Sequence, residues 1–348
     1  MAFGDPLVMD AVLSMGGFPL TTNERIDSIE SQRMHHYGKA LKGLKLSLTS
    51  WNEKRSEDPL RLLLTTVFLC QYEILRGNTQ GVRGYHLAAC RHFAQAVYIS
   101  NTTVTTQSLA HVLLEMYVYM ELSSSLHLSP NSDSMQEASE SALESLFGLR
   151  LFPHFGTLLG SSAQLYEMIP KIRRLASDRA KELSLGIDCG CATIFNVLHE
   201  QLVAFDWGTA LETGPASQME AYLCGKAAAG KLVQKALVLF LLSAYSPNDP
   251  APVRVMASPL VDSALEAARI ISTSPWRNPV FWPTVVIASY ACTDQQREKV
   301  LELMWPRIAL ISRAREALQW LWESPDNLYG LDGLATVFKD HDANYCFG

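Results

Sequence analysis

The sequence lacks the features that mark membrane, secreted and sheet-rich proteins. No run of about 18 apolar residues occurs, and the longest apolar stretch, around 236–245, is about half the length that crosses a bilayer. The N-terminus contains Asp5 and no basic residue before its apolar stretch, so it does not predict a secretory signal. Regular alternation of apolar and polar residues, the pattern of a half-buried strand, is short everywhere. We therefore expect no transmembrane helix, no membrane partner and no β-sheet.

The cysteines form no pattern typical of a metal centre or a disulfide framework. There are 7, an odd number, and they are scattered along the chain without a single CxxC pair. Cys189 and Cys191 lie close together, but one intervening residue is not the spacing of structural zinc sites, and a second pair is missing. The sequence therefore predicts no metal site, and nothing in it indicates a cofactor.

Common catalytic motifs are also missing. The sequence contains no GxGxxG, no complete P-loop and no GxSxG, and the second histidine of a zincin does not follow His199-Glu200. Adjacent residues point to different sides of a helix, so the His35-His36 pair is poorly placed for joint coordination. No motif identifies the chain as an enzyme.

The composition predicts a folded acidic protein. The chain of 348 residues is 48% hydrophobic and carries 29 Lys and Arg against 35 Asp and Glu, which gives a formal net charge of −6. So much apolar material excludes a disordered chain, because burial in a core can offset the chain entropy. Nucleic-acid binding calls for clustered positive charge, which is missing, so we expect no direct nucleic-acid binding.

Helix signals recur along the chain and predict an all-α protein with about ten to thirteen helices. One helix should begin with Asp58 as its N-cap and Pro59 in the first turn, and end at Gly77. Another should begin sharply at a capping box formed by Thr293 and Gln296. These signals indicate where helices start and stop.

We expect a single α-helical domain over residues 1–348. The most apolar helices should be central, whereas the two ends should be peripheral; the central segments are 62–76, 109–122 and 283–291, and the peripheral ones are 1–20 and 323–348. Pro170 should bend its helix. The proline-rich segment 246–252 should be a loop, with a helix over 259–273 after it.

Two segments carry further landmarks. In 62–93, an apolar helix ends in Tyr72-Glu73, a glycine turn follows, and His86-Leu87 opens the next helix. In 281–304, Trp282-Pro283 opens an apolar helix that is followed by Thr293-Asp294 and Arg297. Both segments resemble the hallmarks of the fungal-specific transcription factor domain, and a weaker similarity occurs at 157–176. The landmarks together span about 60–325 of the chain.

The resemblance implies an all-α regulatory domain of the kind usually found C-terminal to a zinc binuclear cluster. It implies a nuclear regulator of transcription in a fungus, which acts through ligand or protein contacts and controls a secondary-metabolite pathway. Arg83 and Ala89-Cys90 depart from the residues frequent in the family. The six-cysteine cluster is missing, since the cysteines begin at Cys70. DNA recognition would then come from a partner or from another segment.

A second hypothesis is that the same helical fold serves as a small-molecule enzyme of fungal secondary metabolism, of the isomerase or cyclase type and located in the cytoplasm. A few polar residues beside apolar helices would supply acid and base. The candidates are His86, Glu73, Asp294 and Arg297.

The tryptophans concentrate near the C-terminal end and suggest a ligand. Five of them fall between 276 and 322, and such large rings can line a cavity for an apolar or amphipathic molecule. Trp282 and Trp305 are the predicted contacts. The competing interpretation is that these rings only fill a helical core.

Overall fold

The structure, a computed structural model, describes most of the chain in segments. The described residues are 4–16, 26–54, 58–77, 85–100, 108–124, 158–159, 162–205, 216–246, 250–271, 274, 276, 280–304 and 309–343. Within these segments every regular element is a helix, which confirms the all-α prediction. They comprise 13 helices of at least nine residues and a single-turn helix, at the upper end of the predicted number.

The helices are numbered in chain order. They are α1 Pro6–Met15, α2 Ile26–Lys54, α3 Pro59–Arg76, α4 Leu87–Ser100, α5 Ser108–Ser124, α6 Ala163–Tyr166, α7 Met168–Leu185, α8 Cys191–Val203, α9 Ala216–Tyr245, α10 Pro250–Ile271, α11 Phe281–Ser289, α12 Asp294–Leu303, α13 Ala309–Glu323 and α14 Gly330–Asp340.

The predicted helix boundaries of α3 and α12 are confirmed. The Asp58 side chain accepts a hydrogen bond from the Leu60 amide, and Gly77 ends α3 in the left-handed conformation at φ 69°. At α12, the Thr293 side chain caps the Gln296 amide, and the Gln296 side chain accepts from the Thr293 amide in return. These ends depend on neighbouring residues only, which is why the sequence predicts them.

The helices pack around two of their number. Helices α1, α2, α4 and α5 surround α3, whereas α7, α8, α10 and α11 pack against α9. Helix α13 contacts α3 and joins the two groups, so that the buried apolar residues form one continuous core. The part of α9 at Tyr222–Tyr245 is long and apolar enough to cross a membrane, but 78% of its most apolar window is buried among the other helices. That burial is typical of a core helix.

The two ends of the chain contribute to this core, although the sequence placed them at the periphery. Leu7 and Val8 of α1 are buried against α2 and α3. Leu334 and Val337 of α14 are buried as well, and this helix packs on α11 and α13. Short amphipathic helices become core elements when a neighbouring face accepts them, and the sequence does not specify that neighbour.

Two predictions about prolines need correction. Helix α10 begins at Pro250, inside the segment expected to be a loop, and it continues through Pro259. A proline in the first turn of a helix costs little because that amide has no partner within the helix. The bend expected at Pro170 is instead a break at Glu167, between α6 and α7. Pro170 then lies in the first turn of α7.

Candidate functional site

Two of the predicted candidates, Glu73 and His86, meet through a third residue, Tyr37. Helix α2 carries Tyr37, α3 carries Glu73 near its C-terminal end, and His86 directly precedes α4. The Tyr37 hydroxyl donates to Glu73 Oε1, and it lies 3.1 Å from His86 Nε2. One hydroxyl therefore connects α2, α3 and the start of α4. We call these three residues the Tyr-Glu-His cluster.

The protonation of this cluster follows from its burial. Burial lowers the pKa of His86, although the nearby Glu73 carboxylate opposes that change. Burial raises the pKa of Tyr37, and its hydrogen bond to Glu73 adds to the increase. A neutral imidazole and a protonated phenol at neutral pH give one consistent arrangement: Tyr37 donates to Glu73, and His86 Nε2 donates to the Tyr37 oxygen.

Two arginines lie over the ring of Tyr72, which stacks on Tyr37 of the Tyr-Glu-His cluster. Tyr72 stacks on Tyr37 with 4.4 Å between ring centroids. The guanidinium groups of Arg33 and Arg76 lie over the Tyr72 ring at 5.3 and 5.6 Å from its centroid. Both arginines also pair with Glu30, at 2.8 and 3.2 Å. These contacts hold α2 and α3 together, and they leave the Tyr-Glu-His cluster as a hydrogen-bonded polar group beside the core.

A second site is a cavity of about 130 Å³ where α10, α11, α12 and α13 meet the loop that leads to α14. The side chains that give it its chemistry are Arg254, Arg297, Cys292, Trp322 and Tyr329. Arg297 is one of the predicted candidates, and the others were not predicted. We call this space the arginine cavity.

Arg254 enters the arginine cavity from the first turns of α10. Its guanidinium lies 4.9 Å from the centroid of the Tyr329 ring, and Nη2 donates to the Asn327 carbonyl oxygen. Asn327 adopts a left-handed conformation at φ 50°, in the turn after α13 that presents this carbonyl. Arg254 Nε is buried and has no hydrogen-bond partner among the described residues.

Arg297 reaches the arginine cavity from α12. It stacks on Trp322, 5.7 Å from the ring centroid, and Nε donates to the Ala291 carbonyl oxygen at 3.4 Å. Its ion pair with Asp294 is long, at 3.7 Å, and the Asp294 side chain is fully exposed. An exposed pair of this kind contributes little. Asp294 is thus a surface residue outside the cavity lining, and only Arg297 of this predicted pair faces the cavity.

Of the two predicted ligand-binding tryptophans, the structure describes Trp282, which is not among the residues that line the arginine cavity. Trp282 is fully buried, its Nε1 donates to the Tyr166 hydroxyl at 3.2 Å, and the two rings meet edge to face. This burial favours the core-filling interpretation for Trp282. Trp305 lies outside the described residues.

Cys189 and Cys191, the closely spaced cysteines of the sequence, lie at the junction between α7 and α8. The amides of Cys189 and Cys191 both donate to Glu182 Oε1, at 2.9 and 3.1 Å, and Arg179 binds the other carboxylate oxygen. Within the described segments, no three His, Cys, Asp or Glu side chains are grouped so that they could hold a metal ion.

Sequence reasoning missed Tyr37, Arg254 and Tyr329. Tyr37 directly follows the His35-His36 pair, but one tyrosine in a largely polar segment forms no motif. Arg254 lies after the segment 246–252 that was expected to be a loop and before the helix expected over 259–273. Only the packing of distant segments reveals the role of these residues.

The family model of the fungal specific transcription factor domain matches residues 1–348 of the chain. The chain belongs to this family. Comparisons with curated proteins and with solved structures each found no match. The identification made from the two landmark segments is therefore confirmed, and membership supports a role in transcription regulation. It also suggests a nuclear location.

Proposed function

We propose that the chain is the regulatory domain of a fungal transcription regulator, that it works in the nucleus by binding a small ligand, and that it does not itself contact DNA. The observation that carries the proposal is the match of the family model to residues 1–348.

The charge of the chain supports the absence of DNA contacts by this domain. With 35 acidic and 29 basic residues the net charge is −6, so the chain has no excess of positive charge with which to attract a phosphate backbone. The printed sequence also contains no CxxC pair with which a zinc cluster could begin. A DNA-reading module on a partner or on another segment would complete the regulator.

The arginine cavity supports ligand binding over a purely structural role. Ligand pockets combine apolar walls with a few polar groups that converge on one space, and this cavity gathers Arg254, Arg297 and Tyr329 from three separate parts of the chain. A regulator controlled by a small molecule would connect gene expression to the pathway that makes or consumes that molecule, and secondary metabolism is the target class we propose.

A second candidate function is acid–base catalysis on a small molecule, as in an isomerase or a cyclase. The observation that favours it is the Tyr-Glu-His cluster, in which a carboxylate, a phenol and an imidazole share hydrogen bonds. Incubation of the purified chain with a metabolite extract, followed by mass spectrometry, tests this function. A product formed by the unmodified chain and not by His86→Ala would favour the enzyme over the regulator.

The regulator proposal is tested by tethering the full chain to an unrelated DNA-binding module in a yeast reporter strain. Reporter expression should change relative to the module alone, and the response should depend on the metabolites supplied. In a separate anisotropy titration at physiological salt, the purified chain should show no sequence-selective DNA binding. Submicromolar selective binding, or a tethered chain without any effect on the reporter, would overturn the proposal.

A further inference from the structure

We propose that the arginine cavity is a binding site for a small oxyanion, a carboxylate or phosphate group, held by Arg254 and Arg297. The inference deepens the proposed function, since it rests on a ligand-binding role for this domain and names the chemical class of that ligand. It differs from the apolar ligand that the tryptophan content suggested.

The charge of the cavity lining favours an anionic ligand. Two arginines and no aspartate or glutamate line it within the described part of the chain. Arg254 has no carboxylate partner there, and the partner of Arg297 is the fully exposed Asp294 at 3.7 Å. Positive charge without a close counter-ion is costly in a partly buried site, so an anion that enters the cavity gains a charge-assisted contact with each arginine.

Unused hydrogen-bond donors beside the cavity favour a ligand that accepts hydrogen bonds. A guanidinium has five N–H donors, and Arg254 uses Nη2 on the Asn327 carbonyl oxygen while its buried Nε has no partner among the described residues. The Tyr329 hydroxyl is also buried, and no oxygen or nitrogen atom of the described chain bonds to it. It lies beside the Cys292 thiol, which is only a weak hydrogen-bonding group. Both groups therefore lack an acceptor among the nitrogen and oxygen atoms of the described chain, and an oxyanion is an acceptor.

Aromatic rings hold the two arginines in place. Arg254 stacks on Tyr329 at 4.9 Å, and Arg297 stacks on Trp322 at 5.7 Å. Such stacking fixes the plane of a guanidinium and does not itself use any of the N–H donors. The arginines are therefore oriented before a ligand binds, which lowers the entropy cost of binding.

The size of the cavity limits the ligand. Its volume of about 130 Å³ is below the roughly 300–1,000 Å³ of pockets for drug-sized molecules. It is close to the roughly 150 Å³ of an engineered apolar cavity that accommodates benzene. A short-chain carboxylic acid or a phosphate group fits this range, whereas a large aromatic metabolite does not.

The test measures binding of malonate and of inorganic phosphate to the purified full-length chain by isothermal titration calorimetry and thermal unfolding. Neutral malonamide is the matched probe for malonate, and potassium chloride at equal ionic strength controls for screening. We expect saturable binding of at least one of the two anions and a rise in the unfolding midpoint, with no effect of malonamide. The two anions distinguish a carboxylate ligand from a phosphate ligand.

Variants locate the site. Arg254→Gln and Arg297→Gln should each weaken binding at least about tenfold, because each removes a charge-assisted contact. Arg269→Gln is the matched control: Arg269 also lies on α10, but its side chain is exposed, pairs with Glu266 and lies outside the cavity lining. It should bind as the unmodified chain does. If an arginine variant does not fold, Tyr329→Phe keeps the ring, loses only the hydroxyl, and should still weaken binding.

Three outcomes would overturn the inference: no saturable binding of either anion, equal binding of malonamide, or equal loss of binding in Arg269→Gln and Arg254→Gln. These measurements involve neither DNA nor a reporter gene, so they fail independently of the proposed function. A reporter response without anion binding would leave the regulator proposal in place and remove the oxyanion site.

Discussion

The Tyr37 hydroxyl donates a hydrogen bond to the Glu73 carboxylate, 36 residues away in the sequence, and so joins helix α2 to helix α3. Glu73 is buried, and its second carboxylate oxygen has no hydrogen-bond partner within the described segments. Tyr37 is thus the hydrogen-bond donor to a buried carboxyl group whose other oxygen has no partner there. Glu73 of the Tyr72-Glu73 landmark therefore receives its hydrogen bond from Tyr37, a residue well outside that landmark.

Replacing Tyr37 with phenylalanine should lower the free energy of unfolding by about 1–3 kcal/mol, since it leaves Glu73 without its donor and removes no ring stacking. Urea unfolding followed by circular dichroism measures the change. Tyr85→Phe is the control, because the Tyr85 side chain is 81% exposed and should be neutral to substitution. Equal stability of Tyr37→Phe and the unmodified chain would show that the hydrogen bond is not structural.

Trp282→Ala should lower the free energy of unfolding by about 3–5 kcal/mol, the usual cost of deleting a buried aromatic side chain. The ring is fully buried and is bonded to Tyr166. Trp320→Ala should cost less, because Trp320 is only half-buried and stacks on the exposed His341. A small loss for Trp282→Ala, together with loss of binding to a metabolite extract, would favour the earlier hypothesis that Trp282 contacts a ligand.

Asp332 should make the protein less stable as the pH rises. Burial raises the pKa of Asp332 from 3.8 to about 6, so the folded state binds this proton more tightly than the unfolded chain does. Stability from this group is therefore present below about pH 4 and is lost as the pH rises to about 6. Its position in the first turn of α14 opposes the effect, because a helix N-terminus favours a negative charge.

Asp332→Asn should consequently raise the free energy of unfolding at pH 7 by about 1–3 kcal/mol, and the two proteins should converge in stability near pH 4. Urea unfolding at a series of pH values between 4 and 8 measures both effects. The exposed Asp326 provides the control through Asp326→Asn, which should leave the pH dependence unchanged. Parallel curves for Asp332→Asn and the unmodified chain would contradict the prediction.

Gly330→Ala should lower the free energy of unfolding by about 2–4 kcal/mol, from left-handed strain and steric overlap together. Gly330 has a φ of 67°, and an added Cβ would lie 2.6 Å from Cε1 of Tyr290. The Tyr290 ring is fully buried and has little room to move. Gly186→Ala is the matched control, because Gly186 has the same φ of 67° with open space around it. It should show the strain alone, and equal losses in the two variants would exclude the overlap.

The sequence by itself determined the fold class, the family and several helix ends. The caps of α3 and α12 depend on residues that are neighbours along the chain, so local propensity predicts them correctly. The apolar content of α3 and α11 also predicted their burial, because a helix that is apolar on most sides has to be surrounded by other helices. Two of the four polar candidates, Glu73 and His86, lie in one hydrogen-bonded cluster.

Only the tertiary structure decided which side chains meet. Tyr37 reaches Glu73 and His86, and Arg254 joins Arg297 in one cavity, through the packing of helices that are far apart in the sequence. The burial of Trp282 was decided in the same way, since a ring at a helix start can face a cavity or a core with the same local pattern. The physical reason is that capping and periodicity act over about four residues. A site instead depends on contacts between segments that are far apart in the sequence, and no local pattern predicts which of these segments pack together.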